Sequence, residues 1–344
     1  MLRPAIVVCT RDRPVDLRRC LASVAGGRPG GCGLIVVDQS ATDASADVVA
    51  EVSAELGGID YIRSDRSGLS AARNQAAAAA EVELLLFTDD DCEIDSESVR
   101  EWWRIFSADP SLGIGFGRVT TPPFDPAGVI PSFDPGPGTR AWDLRLFAHG
   151  AETVGMGANM VVRRQAWAAA GGFDELLGAG AAFPAAEELD LAFRLLRRGW
   201  RLAHAGGPLV MHHGYRAPAE ASSLGKGYSA ATAAMYAKHV RCGDARALLL
   251  MARETAHLVA RVIRCVVRGA RPLGLNSLLA FLAGIGRSAA HPVDRRRRLY
   301  RASSVPGRAR PGQPVTHGWL SGASAGPGIR GSTLPVGRPV AGRG

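Results

Sequence analysis

The chain has 344 residues, 47% of them hydrophobic, which is enough for one large core or two smaller domains. Its net charge of +9 arises entirely in residues 291–344, which hold ten arginines, no lysine and one acidic residue. The remainder is neutral overall, so nucleic acid is not an expected partner, and any binding of it would have to come from this basic segment and disappear with its removal. No uncharged apolar stretch reaches the about 20 residues needed to cross a bilayer.

The first part of the chain alternates between short apolar runs and helical patterns. Strands are predicted at 5–9, 34–37, 59–62 and 84–89, and helices between them at 15–24, 46–56 and 69–80. This alternation is typical of a parallel, doubly wound α/β sheet with right-handed crossovers. Polar residues follow three of the strands, at Thr10, at Asp38 and at the aspartates 89–91. Because the carboxyl ends of parallel strands share one edge of the sheet, we expect a single binding crevice there.

The fourth predicted strand ends in three consecutive carboxylates, Asp89, Asp90 and Asp91. Adjacent anions repel each other and lose hydration when they are partly buried. A divalent cation such as Mg²⁺ or Mn²⁺ would relieve both penalties and could in turn hold a phosphate. The alternative is an acidic turn in which Asp91 or Asp95 caps the following helix.

Glycine-rich phosphate-binding motifs are missing from the expected positions. A dinucleotide-binding fold would have GxGxxG after the first strand, but residues 9–14 read CTRDRP. The P-loop pattern GxxxxGK is also absent, as is the glycine-rich loop with a lysine that a nucleotidyltransferase would carry. A diphosphate would therefore have to be held by a metal ion and by side chains.

Several segments, taken in order, resemble the inverting glycosyltransferases of family 2, which have the GT-A fold. They are TRDRP at 10–14, VVDQS at 36–40, GLSAARN at 68–74, FTDDD at 87–91, GANM at 157–160, GGFDE at 171–175 and EELDLAFR at 187–194. The likeness covers roughly residues 4–215. It implies a doubly wound, mostly parallel sheet in a nucleotide-binding half, joined to an acceptor half. It also implies transfer of a sugar from a nucleotide-diphosphate donor to an acceptor hydroxyl, with Mn²⁺ or Mg²⁺ as cofactor.

The resemblance assigns donor-binding roles to residues of the first half. Asp38 would contact the base or ribose, Thr10 the base, and Arg73 would face the nucleotide. The assigned donor-binding residues are Thr10, Arg11, Asp38, Arg73, Asp89 and Asp90.

The resemblance also implies a metal site. Asp91 would coordinate the cation that bridges the diphosphate, with Asp89 beside it. His212 would be a further ligand, and the adjacent His213 is an alternative. A structural role for this histidine pair stays open, because histidine suits many sites.

The expected catalytic base lies in the second half. The family usually has Glu-Asp at this point, where the Asp is the base, whereas this chain has Glu187 and Glu188. We predict Glu188 as the base, with Glu187 as the alternative, and Gly157 and Asn159 on the acceptor side. The two glutamates could instead only favour the dipole of a helix that begins here. An inactive, sugar-nucleotide-binding homologue therefore remains the alternative function.

Three regions are predicted: a GT-A domain at 1–216, a helical region at 217–290 and a disordered basic tail at 291–344. Within the helical region, one helical pattern has a basic arc and an apolar arc. The basic arc contains Arg246, Arg253, His257, Arg261, Arg264 and Arg268. The apolar arc contains Leu248, Leu249, Val259, Ile263, Val266 and Val267. Such a helix could lie on an anionic membrane, or pack on the catalytic domain with a solvated arginine face.

Location and acceptor follow from these expectations. The six cysteines show neither CxxC nor metal-ligand spacing, and the N-terminal apolar run is too short for a secretory signal. Both features predict a cytoplasmic protein, and peripheral contact at the inner face of the cell membrane is the alternative location. The expected partners are a nucleotide-sugar donor and a carbohydrate or lipid-linked acceptor, in the synthesis of cell-surface polysaccharide or glycolipid.

Overall fold

The computed structural model describes residues 2–144, 154–268 and 274–301. The described strands are β1 (Pro4–Thr10), β2 (Gly33–Asp38), β3 (Asp60–Arg63), β4 (Leu84–Asp89), β5 (Cys92–Ile94), β6 (Leu112–Thr120), β7 (Thr139–Trp142), β8 (Met160–Arg163), β9 (Arg201–His212), β10 (Val293–Asp294) and β11 (Leu299–Tyr300). The described helices are α1 (Pro14–Gly27), α2 (Ala44–Ser53), α3 (Leu69–Ala79), α4 (Ser98–Ala108), α5 (Arg164–Ala170), α6 (Glu187–Arg197), α7 (Pro218–Arg241), α8 (Ala245–Val267) and α9 (Leu275–Ala289). A 3₁₀ turn occupies Gly157–Asn159.

Nine of these strands form one mixed sheet in the order β3-β2-β1-β4-β8-β6-β9-β5, with β7 beside β9. The strands β3, β2, β1 and β4 are parallel, whereas β8 joins antiparallel to both β4 and β6. The parallel strands correspond to the half that the sequence predicts to bind the nucleotide, and the antiparallel strand β8 begins the half predicted to bind the acceptor. The predicted α/β architecture is confirmed.

Alternate residues of the central strands pack into separate cores on the two faces of the sheet. Val7 and Val37 belong to one core, while Ile6 and Val36 belong to the other. Both faces are covered because each crossover between parallel strands places a helix on the sheet. Continuous apolar runs such as that in β1 are therefore buried along their length.

Pairing between strands brings the polar strand ends together at one edge. Thr10 is in register with Asp38, and Cys9 with Asp89. The turn after β4 then carries Asp90 and Asp91. The sheet therefore places the three polar strand ends side by side, as the shared edge of parallel strands requires.

Buried ion pairs attach helix α7 to the preceding part of the chain. Lys238 of α7 lies 2.7 Å from Asp174 and 2.6 Å from Asp190, and all three side chains are buried. Asp190 also pairs with Arg194 at 2.8 Å and with His239 at 2.8 Å. The helix that begins with the two candidate catalytic glutamates is thus held in place by α7.

Residues 291–301, at the start of the predicted disordered tail, contain regular structure. Strands β10 and β11 pair as a short hairpin. Tyr300 is buried, stacks on Phe183 at 5.5 Å between ring centroids, and donates its backbone N–H to Asp174 at 2.8 Å. The contacts of Tyr300 with Phe183 and Asp174 therefore hold residues 291–301, which composition predicted to be disordered, against the folded chain. The rest of the predicted tail, residues 302–344, lies outside the described residues.

In the described parts of the chain, no helix combines the length and the apolar character needed to cross a bilayer. The predicted amphipathic helix is α8, and its arginine arc is exposed. Its apolar arc is exposed as well, since Leu249 and Val267 retain 65% and 80% of their surface.

Candidate functional site

A cavity of about 750 Å³ lies at the carboxyl edge of β1 and β4. Residues from both halves of the chain line it, which is the position in which open α/β sheets hold their ligands. Ten of the twelve predicted site residues are among the lining residues, and the two exceptions are Asp38 and Asn159. The ten are Thr10, Arg11, Arg73, Asp89, Asp90, Asp91, Gly157, Glu187, Glu188 and His212.

The middle carboxylate of the triplet is held from the first strand and its loop. Thr10 Oγ1 donates to Asp90 Oδ2 at 2.8 Å. Arg13 Nη1 donates to Asp90 Oδ1 at 3.2 Å and to Asp91 Oδ2 at 3.0 Å. Burial raises the pKa of Asp90 to about 6 despite the opposing charge of Arg13. Arg13 is thus a member of the site that the sequence interpretation did not select, although the quoted motif TRDRP contains it.

Asp91 and His212, the two residues predicted as metal ligands, lie side by side in the cavity. His212 Nε2 lies 3.3 Å from Asp91 Oδ1, and its other ring nitrogen contacts the carbonyl of Pro131 at 3.0 Å. Although burial acts in the opposite direction, the hydrogen bond and charge of His212 hold the pKa of Asp91 at about 2. The same hydrogen bond raises the pKa of His212 against the effect of its burial. His213 instead contacts Glu93 at 2.8 Å, so the geometry favours His212 as the ligand.

These residues fit a divalent cation. Ligand atoms of Asp91, Cys92 and His212 lie within 4.8 Å of one another. A Cβ at Gly214 would stand 2.6 Å from His212 Nε2 and 2.8 Å from Asp91 Oδ2, so glycine keeps the space beside both atoms open. Burial raises the pKa of the Cys92 thiol well above its ordinary value, which leaves it a poor ligand. A carboxylate with an imidazole suits Mn²⁺ better than Mg²⁺, which prefers oxygen ligands alone.

Arg73 connects the acidic triplet to the candidate base. It is almost fully buried, and its guanidinium lies 3.3 Å from Asp89, 3.2 Å from Glu187 and 3.9 Å from Glu188. The rings of Phe87 and Phe173 lie 5.8 Å and 5.7 Å from it. A buried cation surrounded by three carboxylates holds the two halves of the site at a fixed spacing. Arg73 is therefore enclosed rather than solvated on its alanine-rich helix.

The two glutamates at the start of α6 have different surroundings. The Glu187 side chain is 5% exposed and pairs with Arg73, whereas the Glu188 side chain is 21% exposed. Burial, together with the charge of Glu188, raises the pKa of Glu187 well above its ordinary value. Glu188 Oε1 accepts the backbone N–H of Gly157 at 3.0 Å. A Cβ at Gly157 would come within 2.7 Å of that oxygen, which explains glycine at this position.

Asp38, predicted to contact the nucleoside, lies outside the cavity. It is fully buried, and its Oδ2 accepts from Tyr61 at 2.6 Å and from Arg63 at 3.1 Å. Its Oδ1 accepts the backbone N–H of Ser40 at 2.7 Å. Both oxygens are therefore engaged within the protein at the ends of β2 and β3, and the nucleoside contact of Asp38 stays a prediction.

Asn159, predicted on the acceptor side, also serves the fold. Its side-chain nitrogen donates to the carbonyls of Arg118 at 2.9 Å and Pro208 at 3.0 Å. Its Oδ1 accepts from Trp102 Nε1 at 3.0 Å. These bonds join β6, β9 and α4 beside Gly157, and the placement of Asn159 on the acceptor side stays a prediction.

Helix α7 contributes lining residues that the sequence interpretation missed. Leu224, Tyr228 and Thr232 line the cavity at intervals of four residues, one turn of helix apart. Burial, together with the charges of Glu188 and Glu187, raises the pKa of Tyr228 to about 12. The four-residue spacing was readable in the sequence, but nothing there indicated that this helix folds back over the site.

Comparison with known proteins agrees with this geometry. Residues 5–143 match the family described as Glycosyl transferase family 2, which confirms the predicted family for that part of the chain. No curated protein matches the sequence closely enough to count as a relative.

Solved structures show the same fold at low identity. The mannosyltransferase PcManGT from Pyrobaculum calidifontis, in complex with GDP-Man and Mn²⁺, is 18% identical with a TM-score of 0.55, over 84% of this chain and 75% of that one. TarS 1-349 from S. aureus, in complex with UDP-GlcNAc, is 14% identical with a TM-score of 0.58, over 83% of this chain and 80% of that one. A second TarS 1-349 structure is 15% identical with a TM-score of 0.52, and 68% of this chain spans 64% of its length. The GT-A fold predicted from the sequence is confirmed.

Proposed function

We propose, from the family 2 match of residues 5–143 and the GT-A fold, that the protein is a metal-dependent, inverting glycosyltransferase. It would move a sugar from a nucleoside-diphosphate sugar to a hydroxyl group, in the synthesis of a cell-surface polysaccharide or glycolipid. One observation carries this proposal: Arg73 lies between Asp89, at 3.3 Å, and the glutamates Glu187 and Glu188, at 3.2 Å and 3.9 Å, at the wall of a single cavity. A donor-binding group and a candidate base thus meet within one pocket.

The cation would be held by Asp91 and His212, with Asp89 nearby. When bound, it would neutralise the negative charge that develops on the leaving diphosphate. Arg13 now pairs with Asp90 and Asp91, so a bound diphosphate would compete with these carboxylates for the guanidinium. The cavity can therefore supply positive charge to the leaving group from a side chain as well.

Glu188 is the group we propose to accept the acceptor's proton. It lines the cavity, is partly exposed, and is oriented by the Gly157 backbone N–H at 3.0 Å. The proton would pass from the acceptor hydroxyl to Glu188 as the hydroxyl oxygen attacks the anomeric carbon. Glu187 is less suited, because its side chain is only 5% exposed and is paired with Arg73, and burial raises its pKa.

Tyr228 of α7 supports an acceptor subsite on the same side of the cavity as the glutamates. Its ring is 45% exposed and lines the cavity with Leu224. An aromatic ring with a hydroxyl group suits the face and the polar edge of a sugar. The acceptor would be a carbohydrate or a lipid-linked carbohydrate.

Release of nucleoside diphosphate from a panel of UDP-, GDP- and dTDP-sugars tests this function. In the presence of Mn²⁺ the full chain should release nucleoside diphosphate from one type of donor as the sugar passes to a hydroxyl acceptor or to water. Asp91→Ala should abolish that release. Metal-dependent nucleotide binding without turnover of any donor would instead support the inactive, sugar-nucleotide-binding homologue.

A further inference from the structure

Helix α8 has three faces rather than the two expected of a packed surface helix. Ala247, Leu250 and Leu258 are buried against the rest of the protein. A second face is basic and a third is apolar, and both are exposed. The exposed apolar residues are Leu248 (50%), Leu249 (65%), Val259 (37%), Ile263 (55%), Val266 (60%) and Val267 (80%). At 100° per residue these positions fall within a stripe about 100° wide along the whole helix.

Helix α9, which packs beside α8, also has exposed apolar side chains. Leu275, Leu279 and Leu282 are 38%, 55% and 48% exposed and lie on one side of this helix. The two helices contact each other, and α9 starts beside α8, because a Cβ at Gly274 would lie 3.2 Å from Arg261 Cδ. Two neighbouring helices therefore both leave leucine, valine or isoleucine side chains uncovered, which marks an interaction surface rather than scattered exposure.

The charges beside this apolar surface have one sign. The basic face of α8 consists of Arg246, Arg253, His257, Arg261, Arg264 and Arg268, all exposed. Between residues 245 and 289 the sequence contains a single carboxylate, Glu254, which lies toward the packed side. An apolar stripe bordered by guanidinium groups matches a bilayer surface, with acyl chains next to anionic head groups.

We propose that α8 and α9 form a monotopic membrane-binding face that inserts shallowly into an anionic lipid bilayer. The apolar stripes would enter the boundary between head groups and acyl chains, and the arginines would lie at the phosphates. This inference goes beyond the proposed transfer reaction and does not depend on it. It would place the cavity near lipid-linked molecules, because α7 both lines the cavity and packs against α8 and α9.

Flotation of the full chain with vesicles tests the proposal. Wild-type protein should float with vesicles of phosphatidylcholine and phosphatidylglycerol, and much less with phosphatidylcholine alone. The double variant Ile263→Glu/Val267→Glu should lose at least about tenfold in partitioning, since both side chains would enter the apolar layer. Arg261→Gln and Arg264→Gln should each lose about fivefold on anionic vesicles only.

Matched controls separate this face from other sources of binding. Val15→Glu changes an equally exposed valine, 77% exposed, on α1 and should float like wild type. The Ile263/Val267 variant keeps every arginine of residues 291–344, so unchanged flotation of that variant would assign lipid binding to the tail and overturn the proposal. A wild-type dimer that the same variant converts to a monomer, without loss of flotation, would also overturn it, because a second copy would then cover the face. Thermal unfolding confirms that each variant is folded.

Discussion

The assignment of the base rests on two adjacent glutamates with unequal environments, so exchanging each for glutamine is the most informative perturbation. Glutamine has nearly the shape of a protonated glutamate but cannot accept a proton. Glu188 is partly exposed in the cavity and accepts a hydrogen bond from Gly157. Glu187 is buried against Arg73 and has a raised pKa.

The expected effects differ by orders of magnitude. Loss of a general base typically costs 10²–10⁴-fold in rate, which is about 3–5 kcal/mol of transition-state free energy. Glu188→Gln should therefore reduce turnover by at least about 100-fold. Glu187→Gln keeps the shape of a buried side chain beside Arg73 and leaves Glu188 in place as the proton acceptor, so its turnover should stay within about tenfold of wild type.

Initial rates of nucleoside diphosphate release, measured with the donor that wild type uses, provide the assay. Thermal unfolding of both variants should show intact folds, so that lost activity reports on chemistry. If Glu187→Gln were inactive while Glu188→Gln retained its rate, the roles would be reversed. If both variants retained activity, the two glutamates would serve only the start of α6.

Other predictions concern stability and the metal site. Glu187 binds its proton more tightly in the native protein than in the unfolded chain, so its contribution to wild-type stability should fall as the pH rises above 4.5, the ordinary pKa of a glutamate. Thermal melts at several pH values should therefore show Glu187→Gln gaining stability relative to wild type as the pH rises. Lys238→Met removes the partner of two buried carboxylates and should cost about 3–5 kcal/mol in urea unfolding, whereas Lys226→Met, at an exposed position, should cost less than about 0.5 kcal/mol. His212→Ala should lower the affinity for Mn²⁺ at least about tenfold in calorimetric titrations, while His213→Ala should leave it nearly unchanged. Equal losses of affinity in the two variants would contradict the assignment of His212 as the ligand.

The sequence predicted the parts of the site that depend on local pattern. The apolar run before Asp89 predicted a buried strand. Thr10 ends β1 and Asp91 follows β4, and the two lie at one edge of the sheet because parallel strands share their direction. The register of the motif at 187–194 likewise placed both glutamates on the first turn of a helix beside the cavity.

The parts that sequence could not predict depend on distant partners. Asp38 and Asn159 were selected by their place in the sequence motifs, whereas in the structure Asp38 accepts hydrogen bonds from Tyr61 and Arg63, and Asn159 accepts one from Trp102. Such contacts arise only from the packing of separate elements. In the same way, the exposure of the Leu and Val stripe on α8 follows from which face of that helix meets its neighbours, and periodicity alone gives no preference between two faces.

The central claim is that the acidic triplet binds a nucleotide through a divalent cation at Asp91. A thermal-shift panel of UDP, GDP and dTDP, each with and without Mn²⁺, tests it on wild type, on Asp91→Ala and on Asp47→Ala, an exposed aspartate on α2. A ligand that binds the folded state alone raises its stability by about 2.7 kcal/mol at 100 times its dissociation constant. The account predicts that one nucleotide stabilises wild type and Asp47→Ala only with Mn²⁺, and that Asp91→Ala loses this effect. Absence of any nucleotide shift in wild type, or an undiminished shift in Asp91→Ala, would contradict it.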